Sequence, residues 1–444
     1  MDQSFFVKTY GCQMNQYDSE KIDELLVHNG FKKAKNLEMS DVAILNTCHI
    51  REKASEKFYS DLGRLSVFKK NKEKLGEKMQ IVVMGCVAQA EGQEVIKRNT
   101  LVDYVVGPQN IQSIPKLLKT KSKKTIHTDF LCEQKFSSFP KSYLEGTSRQ
   151  ITIQEGCDKF CSFCVVPYTR GNEYSRSVEE IYAEAKNLVE NGALEINLLG
   201  QNVSAYKSHI FGKSKKKLID LSKLCNILSS LPELKRIRYI TSHPSDINNE
   251  LILEHKNNKK LMPFLHLPVQ SGSNKILKKM NRKHSKENYI ELINKIKCEV
   301  VNMAFSSDFI VGYPGETDND FQETLDLIDK VEFASSYSFK YSPRPGTPAS
   351  LIEDRVDDSI LDKRLNKIQN TLNEQQKNFN ETFLDKEIEV LFTSLGKKNN
   401  QYVGRTPFLQ PVHVFSSGDL VGKILKIKIE RLTSYSFHGK ILSS

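Results

Sequence analysis

The chain contains no run of eighteen apolar residues, so no part of it is expected to span a membrane. It also lacks the pattern of a secretion signal. The opening Met1-Asp2-Gln3-Ser4-Phe5-Phe6-Val7-Lys8 gives way at once to Thr9 and Tyr10, which is too short and too polar. The cytoplasm is the expected location, with no membrane partner. A paired set of cysteines is missing as well. Nine cysteines, an odd number, in a chain of 444 residues argue against a disulfide framework and for metal or redox chemistry. Acid is in deficit: the net charge is +11, which favours a polyanionic partner, although Lys and Asn are abundant throughout. This length allows two or three domains, each with its own core.

What the chain does have is Cys157-Asp158-Lys159-Phe160-Cys161-Ser162-Phe163-Cys164, placed at the exit of the β-branched strand signal Ile151–Gln154. Three thiolates this close cannot all pair as disulfides. Tetrahedral zinc would need a fourth ligand that the local sequence does not offer. An iron–sulfur cluster fits better, and a cubane held by three cysteines leaves one iron open to a reacting ligand.

Ahead of this triplet a strand–helix rhythm runs from Phe5 to about Pro108, which predicts an α/β domain with a mainly parallel sheet. Strand signals Phe5–Tyr10, Val42–Leu45 and Ile81–Met84 each run almost straight into a cysteine, Cys12, Cys48 and Cys86. In a parallel sheet the C-terminal strand ends share one edge, where such folds bind ligands. The three thiols are therefore expected to converge and to hold a second cluster. Five lysines among the nine residues from Lys116 to Lys124 read as a solvated connector, and Thr125 to Gly146 as a linker. Cys132, in that linker, receives no role.

From Arg149 to about Gly346 the rhythm resumes with strand signals Ile151–Gln154, Glu195–Leu199, Arg236–Thr241, Phe264–Val269, Phe305–Val311 and Ser336–Tyr341. Six such units predict a partly open βα barrel with its chemistry at the C-terminal strand ends. Those ends carry Gly200-Gln201-Asn202, Ser242-His243-Pro244, Gln270-Ser271-Gly272 and Gly312-Tyr313-Pro314-Gly315, turns suited to holding a polar ligand. His243 and His266 read as structural or substrate-positioning. Cys225 falls among core leucines, and Cys298 ends an amphipathic helix; neither is assigned a role. Between Asp354 and Phe379 a helix is expected with Leu361, Leu365, Ile368 and Leu372 on one stripe. The tail then turns to short strands, Ile388–Phe392, Val412–Phe415 and Leu425–Glu430, the last alternating apolar and charged residues as in a small β-barrel. Its Arg405, Lys423, Lys426, Lys428 and Arg431, with Tyr402 and Phe408, are candidates for contacts to phosphates and bases.

Taken together, Tyr10-Gly11-Cys12-Gln13-Met14-Asn15, Asn46-Thr47-Cys48-His49-Ile50-Arg51-Glu52-Lys53-Ala54, Gly85-Cys86-Val87-Ala88-Gln89 and Gly156-Cys157 through Cys164 resemble the radical-SAM methylthiotransferase family. The continuation Val165-Val166-Pro167-Tyr168-Thr169-Arg170-Gly171 favours its tRNA-modifying MiaB branch over the branch that modifies a ribosomal protein. The resemblance implies an α/β fold in three domains: a methylthiotransferase domain over 3–120, a partial (βα)6 radical-SAM barrel over 143–375, and a TRAM-like RNA-binding barrel over 378–441. It implies two four-iron, four-sulfur clusters, on Cys157, Cys161 and Cys164 and on Cys12, Cys48 and Cys86. S-adenosylmethionine would bind the first, beside the rim residues Gln201, Asn202 and Gly312. The implied reaction is methylthiolation at C2 of an N6-isopentenyl-adenosine beside the anticodon of tRNA, served by an electron donor and a sulfur supplier. Two alternatives stay open: the same chemistry on another tRNA adenosine or a ribosomal-protein aspartate, and an iron–sulfur RNA-binding or electron-carrying protein.

Overall fold

A computed structural model describes residues 3–49, 52–120, 124–130, 135–136, 139–211 and 216–442. Cys132, with Ile50, Arg51, Lys121 and Lys123 of the stretches singled out above, lies outside the described residues. The chain forms two compact units. One comprises Met1–Tyr143, Gln154–Asp158 and Cys164–Arg176; the other comprises Leu144–Ile153, Lys159–Phe163 and Ser177–Ser444.

In the first unit β1 (Ser4–Thr9), β2 (Lys32–Lys33), β3 (Val42–Thr47), β4 (Gln80–Gly85), β5 (Tyr104–Val106) and β6 (Thr125–His127) make one parallel sheet in the order β2-β1-β3-β4-β5-β6. Successive residues of a strand face opposite sides, so β3 and β4 feed two cores. Ile44, Val82 and Met84 pack with Ile22 and Leu26 of helix Gln13–His28 on one side. Ala43, Leu45, Ile81 and Val83 pack with Phe58 and Leu62 of helix Glu52–Lys74 on the other.

The expected connector at Lys116–Lys124 is in part a helix, Ile114–Thr120, that buries Leu117 and Leu118 while its lysines face out. The lysine run masked those two leucines. β6 likewise arises inside the expected linker, where three residues give too little alternation to be read from sequence.

In the second unit Ser148–Thr152, Glu195–Leu199 and Arg236–Tyr239 pair in parallel with Glu195–Leu199 central, and Phe264–His266, Ala304–Val311 and Ser335–Lys340 pair in parallel with Ala304–Val311 central. A parallel bridge from Ile237 to Leu261 links the two sets. This is the open six-strand βα arrangement that the sequence predicts. Its helix Val178–Glu190 starts where Ser177 accepts the Glu180 N–H at 3.2 Å, buries Val178, Ile181, Ala185 and Leu188, and is followed by Gly192. An antiparallel ribbon, Lys207–Phe211 with Lys216–Asp220, was not foreseen. Helix Asp358–Glu381 buries Leu361, Ile368 and Leu372 as expected.

The tail closes into a five-strand barrel of Glu387–Leu395, Gln401–Arg405, Pro411–Phe415, Ile424–Leu432 and Phe437–Ile441. Ile427 and Ile429 point inward, while Lys426, Lys428 and Glu430 point out, matching the predicted alternation. Two arginines fasten this barrel to the parallel strands: Arg236 donates to the Arg405 and Glu389 carbonyls, and Arg238 to those of Pro407 and Thr406. Glu195 holds Arg238 from the other side at 2.7 Å.

Candidate iron–sulfur sites

β1, β3 and β4 are neighbours, and their register aligns Thr9 with Asn46 and Thr47 with Gly85. Their C-terminal ends therefore deliver Cys12, Cys48 and Cys86 to one edge, as the sequence implied. Side chains beneath the thiols lock that edge. Asn15 donates to the Tyr10 and Thr47 carbonyls at 2.9 and 2.7 Å, and Thr47 Oγ1 donates to the Met84 carbonyl at 2.6 Å. Gly11 has φ +105°, and a Cβ there would lie 2.2 Å from Cys48 Cβ and 2.6 Å from its Sγ. Only glycine lets these two cysteine-bearing turns touch.

The thiols share charge. A hydrogen bond from Cys48, and more weakly the nearby Arg170 guanidinium, pull Cys12 down to about 6 against the effect of burial. Burial pushes Cys86 up, although Arg170 opposes it. Thiols in contact with one another cannot all ionise without a cation to receive them. Among the described residues no three His, Cys, Asp or Glu side chains close around one point, as a single ion would require. A cubane makes no such demand, because each thiolate takes a different iron. Sulfur-only donors, a partly ionised member and an adjacent cation fit a thiolate-bound cluster.

The second triplet sits on a loop whose ends belong to the first unit and whose middle belongs to the second. Cys157 follows Gln154–Glu155, a short strand paired with Tyr174–Ser175, and its N–H donates to the Gly171 carbonyl at 3.2 Å. Cys164 Sγ accepts from the Val166 N–H at 3.5 Å. Between them Phe160 adopts φ +48°, a left-handed turn held by Asn281 donating to its carbonyl at 2.8 Å. Ser162 bonds the Lys279 carbonyl and the Tyr313 hydroxyl. Arg282 Nη1 donates to Cys161 Sγ at 3.5 Å and Nη2 to the Pro268 carbonyl. The three thiols lie within eight consecutive residues, and one of them, Cys161, already accepts from a guanidinium.

The rim residues divide. Asn202 is buried; its amide donates to Asp246 at 2.7 Å and its oxygen accepts from the His243 N–H at 3.0 Å. Asp246 also pairs with Lys159 at 2.7 Å, so Asn202 steadies the cysteine loop from within the second unit. Gln201 is half-buried in the adjoining turn. Gly312, with φ +73°, has a cause inside the fold: a Cβ there would lie 1.7 Å from Leu361 Cδ2. Gly312→Ala is thus expected to lower stability by about 1–3 kcal/mol through strain and overpacking, read as a shift in denaturant midpoint.

His243 and His284 stack edge to face at 5.5 Å, and burial together with Arg282 holds both well below the usual histidine range. Both therefore stay neutral. His243 Nδ1 is tied to Ser245 at 2.7 Å, a structural role. His266 lies 3.5 Å from Asp308 and 3.0 Å from Ser306 Oγ. Cys225 is core, and burial raises its thiol; Cys298 is exposed.

On the barrel, Lys423, Lys426, Lys428 and Arg431 face solvent as expected. Tyr402 and Phe408 are packed against the protein rather than presented as open faces. Tyr402 is in the barrel core, and Phe408 packs on Phe379 and Phe383. Alternation puts Tyr402 inward, a parity that its basic neighbours hid. The exposed aromatics are Phe415 and Tyr435. Sequence reading also missed Arg282, which follows a helix without any motif, and the grouping of Lys135 with Glu155 and with Asp18, the latter more than a hundred residues away.

Comparison with known proteins fits this geometry. Residues 151–328 match the radical SAM superfamily, 4–107 match the uncharacterized protein family UPF0004 and 382–442 match the TRAM domain. The site and fold thus define a radical-SAM protein with an added thiol-bearing α/β domain. Two curated relatives are tRNA-2-methylthio-N(6)-dimethylallyladenosine synthases. That of Rickettsia rickettsii (strain Sheila Smith) is 50% identical with all of both chains covered; that of Rickettsia canadensis (strain McKiel) is 49% identical over 99% of this chain and 100% of its own. The chain belongs to the tRNA-2-methylthio-N(6)-dimethylallyladenosine synthase family. Among solved structures, the radical S-adenosylmethionine methyltransferase TsrM from Kitasatospora setae, with cobalamin and a [4Fe-4S] cluster bound, aligns with TM-score 0.58 at 12% identity over 79% of this chain and 77% of that one. The cobalamin-dependent S-adenosylmethionine radical enzyme OxsB aligns with TM-score 0.52 over 83% and 56%. At such identities these two speak for fold alone. No described helix is long and apolar enough to cross a membrane.

Proposed function

We propose that this protein inserts a methylthio group at C2 of an N6-isopentenyl-adenosine beside the anticodon of tRNA, in the cytoplasm. Its working parts would be three domains over 3–120, 143–375 and 378–441. The observation that carries the reading is the meeting of Cys12, Cys48 and Cys86 at one strand edge, in the same unit as Cys157 and Cys164. Cys157, Cys161 and Cys164 would hold one four-iron cluster and Cys12, Cys48 and Cys86 another. With S-adenosylmethionine, such a cluster supplies a carbon radical strong enough to take the C2 hydrogen, which is neither acidic nor hydridic.

The protein's own groups do the positioning. Asn202, Asp246 and Lys159 brace the cysteine loop, and Arg282 donates to the Cys161 sulfur. The exposed Lys423, Lys426, Lys428 and Arg431 offer cations to the phosphates of an anticodon stem-loop, with Phe415 and Tyr435 as exposed aromatic faces. Electrons and replacement sulfur must come from outside the chain.

The test is nucleoside mass spectrometry of tRNA from cells lacking this protein. Isopentenyl-adenosine should accumulate in place of its methylthio derivative, and re-expression should reverse this. An unchanged nucleoside profile rejects the substrate. Anaerobic reconstitution should give two four-iron clusters per chain and 5′-deoxyadenosine on reduction with S-adenosylmethionine; absence of cleavage rejects the radical chemistry.

A further inference from the structure

Arg170 ends the short helix Val166–Arg170, is 2% exposed and belongs to the same unit as Cys12, Cys48 and Cys86. Its Nη1 lies 2.9 Å from both Glu155 Oε1 and Asp18 Oδ2, and its Nη2 donates to Asn15 Oδ1 at 3.1 Å. That same Asn15 oxygen accepts the Cys12 S–H at 3.6 Å. The guanidinium's charge is close enough to the Cys12 and Cys86 thiols to favour the thiolate of each. Behind Arg170, Lys135 is fully buried and pairs with Asp18 at 2.8 Å and Glu155 at 2.7 Å.

The quartet of Arg170, Lys135, Asp18 and Glu155 is neutral as a whole. Buried ion pairs of this sort add little net stability compared with well-packed apolar residues. What sets this one apart is its direction: the carboxylates hold Nη1, and Nη2 reaches the Asn15 amide oxygen that also meets the Cys12 thiol. A planar fork holds two carboxylates at one nitrogen and an amide at the other in a fixed geometry, which a freely rotating ammonium does not.

We propose that Arg170 is a positioning residue for the Cys12, Cys48 and Cys86 site, where its nearby buried charge raises the reduction potential of the group those thiolates hold. The inference rests on the reading that the group is an iron–sulfur cluster. Hydrogen bonds to sulfur and a nearby cation favour the reduced, more negative state. Arg170 lies six residues after Cys164, so the segment that follows one cysteine triplet supplies the cation for the other.

The experiment uses the full chain with Cys157, Cys161 and Cys164 replaced by alanine, reconstituted anaerobically with iron and sulfide, so that only the N-terminal site can hold a cluster. The midpoint potential is read by dye-mediated titration with electron paramagnetic resonance. Adding Arg170→Gln together with Glu155→Gln removes one cation and one anion, and so avoids orphaning a carboxylate. This variant should titrate at a more negative potential than its parent, and Arg170→Lys should lie between the two. Loss of the cluster from the double variant with an unchanged melting temperature also supports the proposal. A retained cluster at an unchanged potential overturns it. A parent that binds no iron refutes the reading of the three cysteines and the inference with it, and does so before Arg170 is touched.

Discussion

Cys48→Ala is expected to leave S-adenosylmethionine cleavage intact and to abolish methylthio insertion. Cys48 follows β3 and is 1% exposed, with its sulfur against the Gly11 turn and next to Cys12. Removing the thiol takes away one of the three proposed ligands without introducing bulk, so the parallel sheet should persist. The loss of product should exceed about 100-fold, because substitution of groups that merely support metal ligands already costs up to that much. Cys161→Ala should instead abolish both reactions, since Cys161 belongs to the other triplet and accepts from Arg282. The measurement is 5′-deoxyadenosine and methylthio-nucleoside quantified from the same reaction. Product formation by Cys48→Ala at the parental level would remove the N-terminal thiols from the chemistry. Loss of 5′-deoxyadenosine from that variant would mean that the two sites do not act separately.

That pair of outcomes depends on a convergence that was legible before any coordinates, because it follows from topology. Parallel strands have one C-terminal edge, and three strand signals each ended in a cysteine; the register of Thr9, Asn46, Thr47 and Gly85 then does the rest. The inward and outward sides of Ile424–Leu432 were legible for a similar reason, since a two-residue period is a local property. Long-range causes were not. Gly312 reads as room for a ligand, yet its partner is Leu361, on a helix forty-nine residues further on. Tyr402 reads as a base platform because it sits among basic residues, while its parity buries it. Lys135 occupies a stretch without periodicity, and nothing local reveals that two carboxylates, one of them more than a hundred residues away, meet it in the interior. Hydrophobic patterning predicts which face a residue takes; it carries no information about which charge lies opposite.

Lys135→Met should therefore be among the most destabilising single substitutions outside the apolar cores. The side chain is fully buried, and its ammonium pairs with Asp18 and Glu155. Methionine fills the same space, so packing is nearly conserved, and what is lost is charge. Arg170 would then face two buried carboxylates alone. Breaking a buried ion pair from one side typically costs about 3–5 kcal/mol, because an uncompensated charge is left in the interior. For a unit of this size each kcal/mol lowers the melting temperature by about 2–4 °C. Denaturant melts of Lys135→Met at pH 8 check this, and Lys135→Met with Glu155→Gln should recover much of the loss. A single variant within about 1 kcal/mol of the parent at pH 8 would show that the quartet's charges are solvated rather than interlocked.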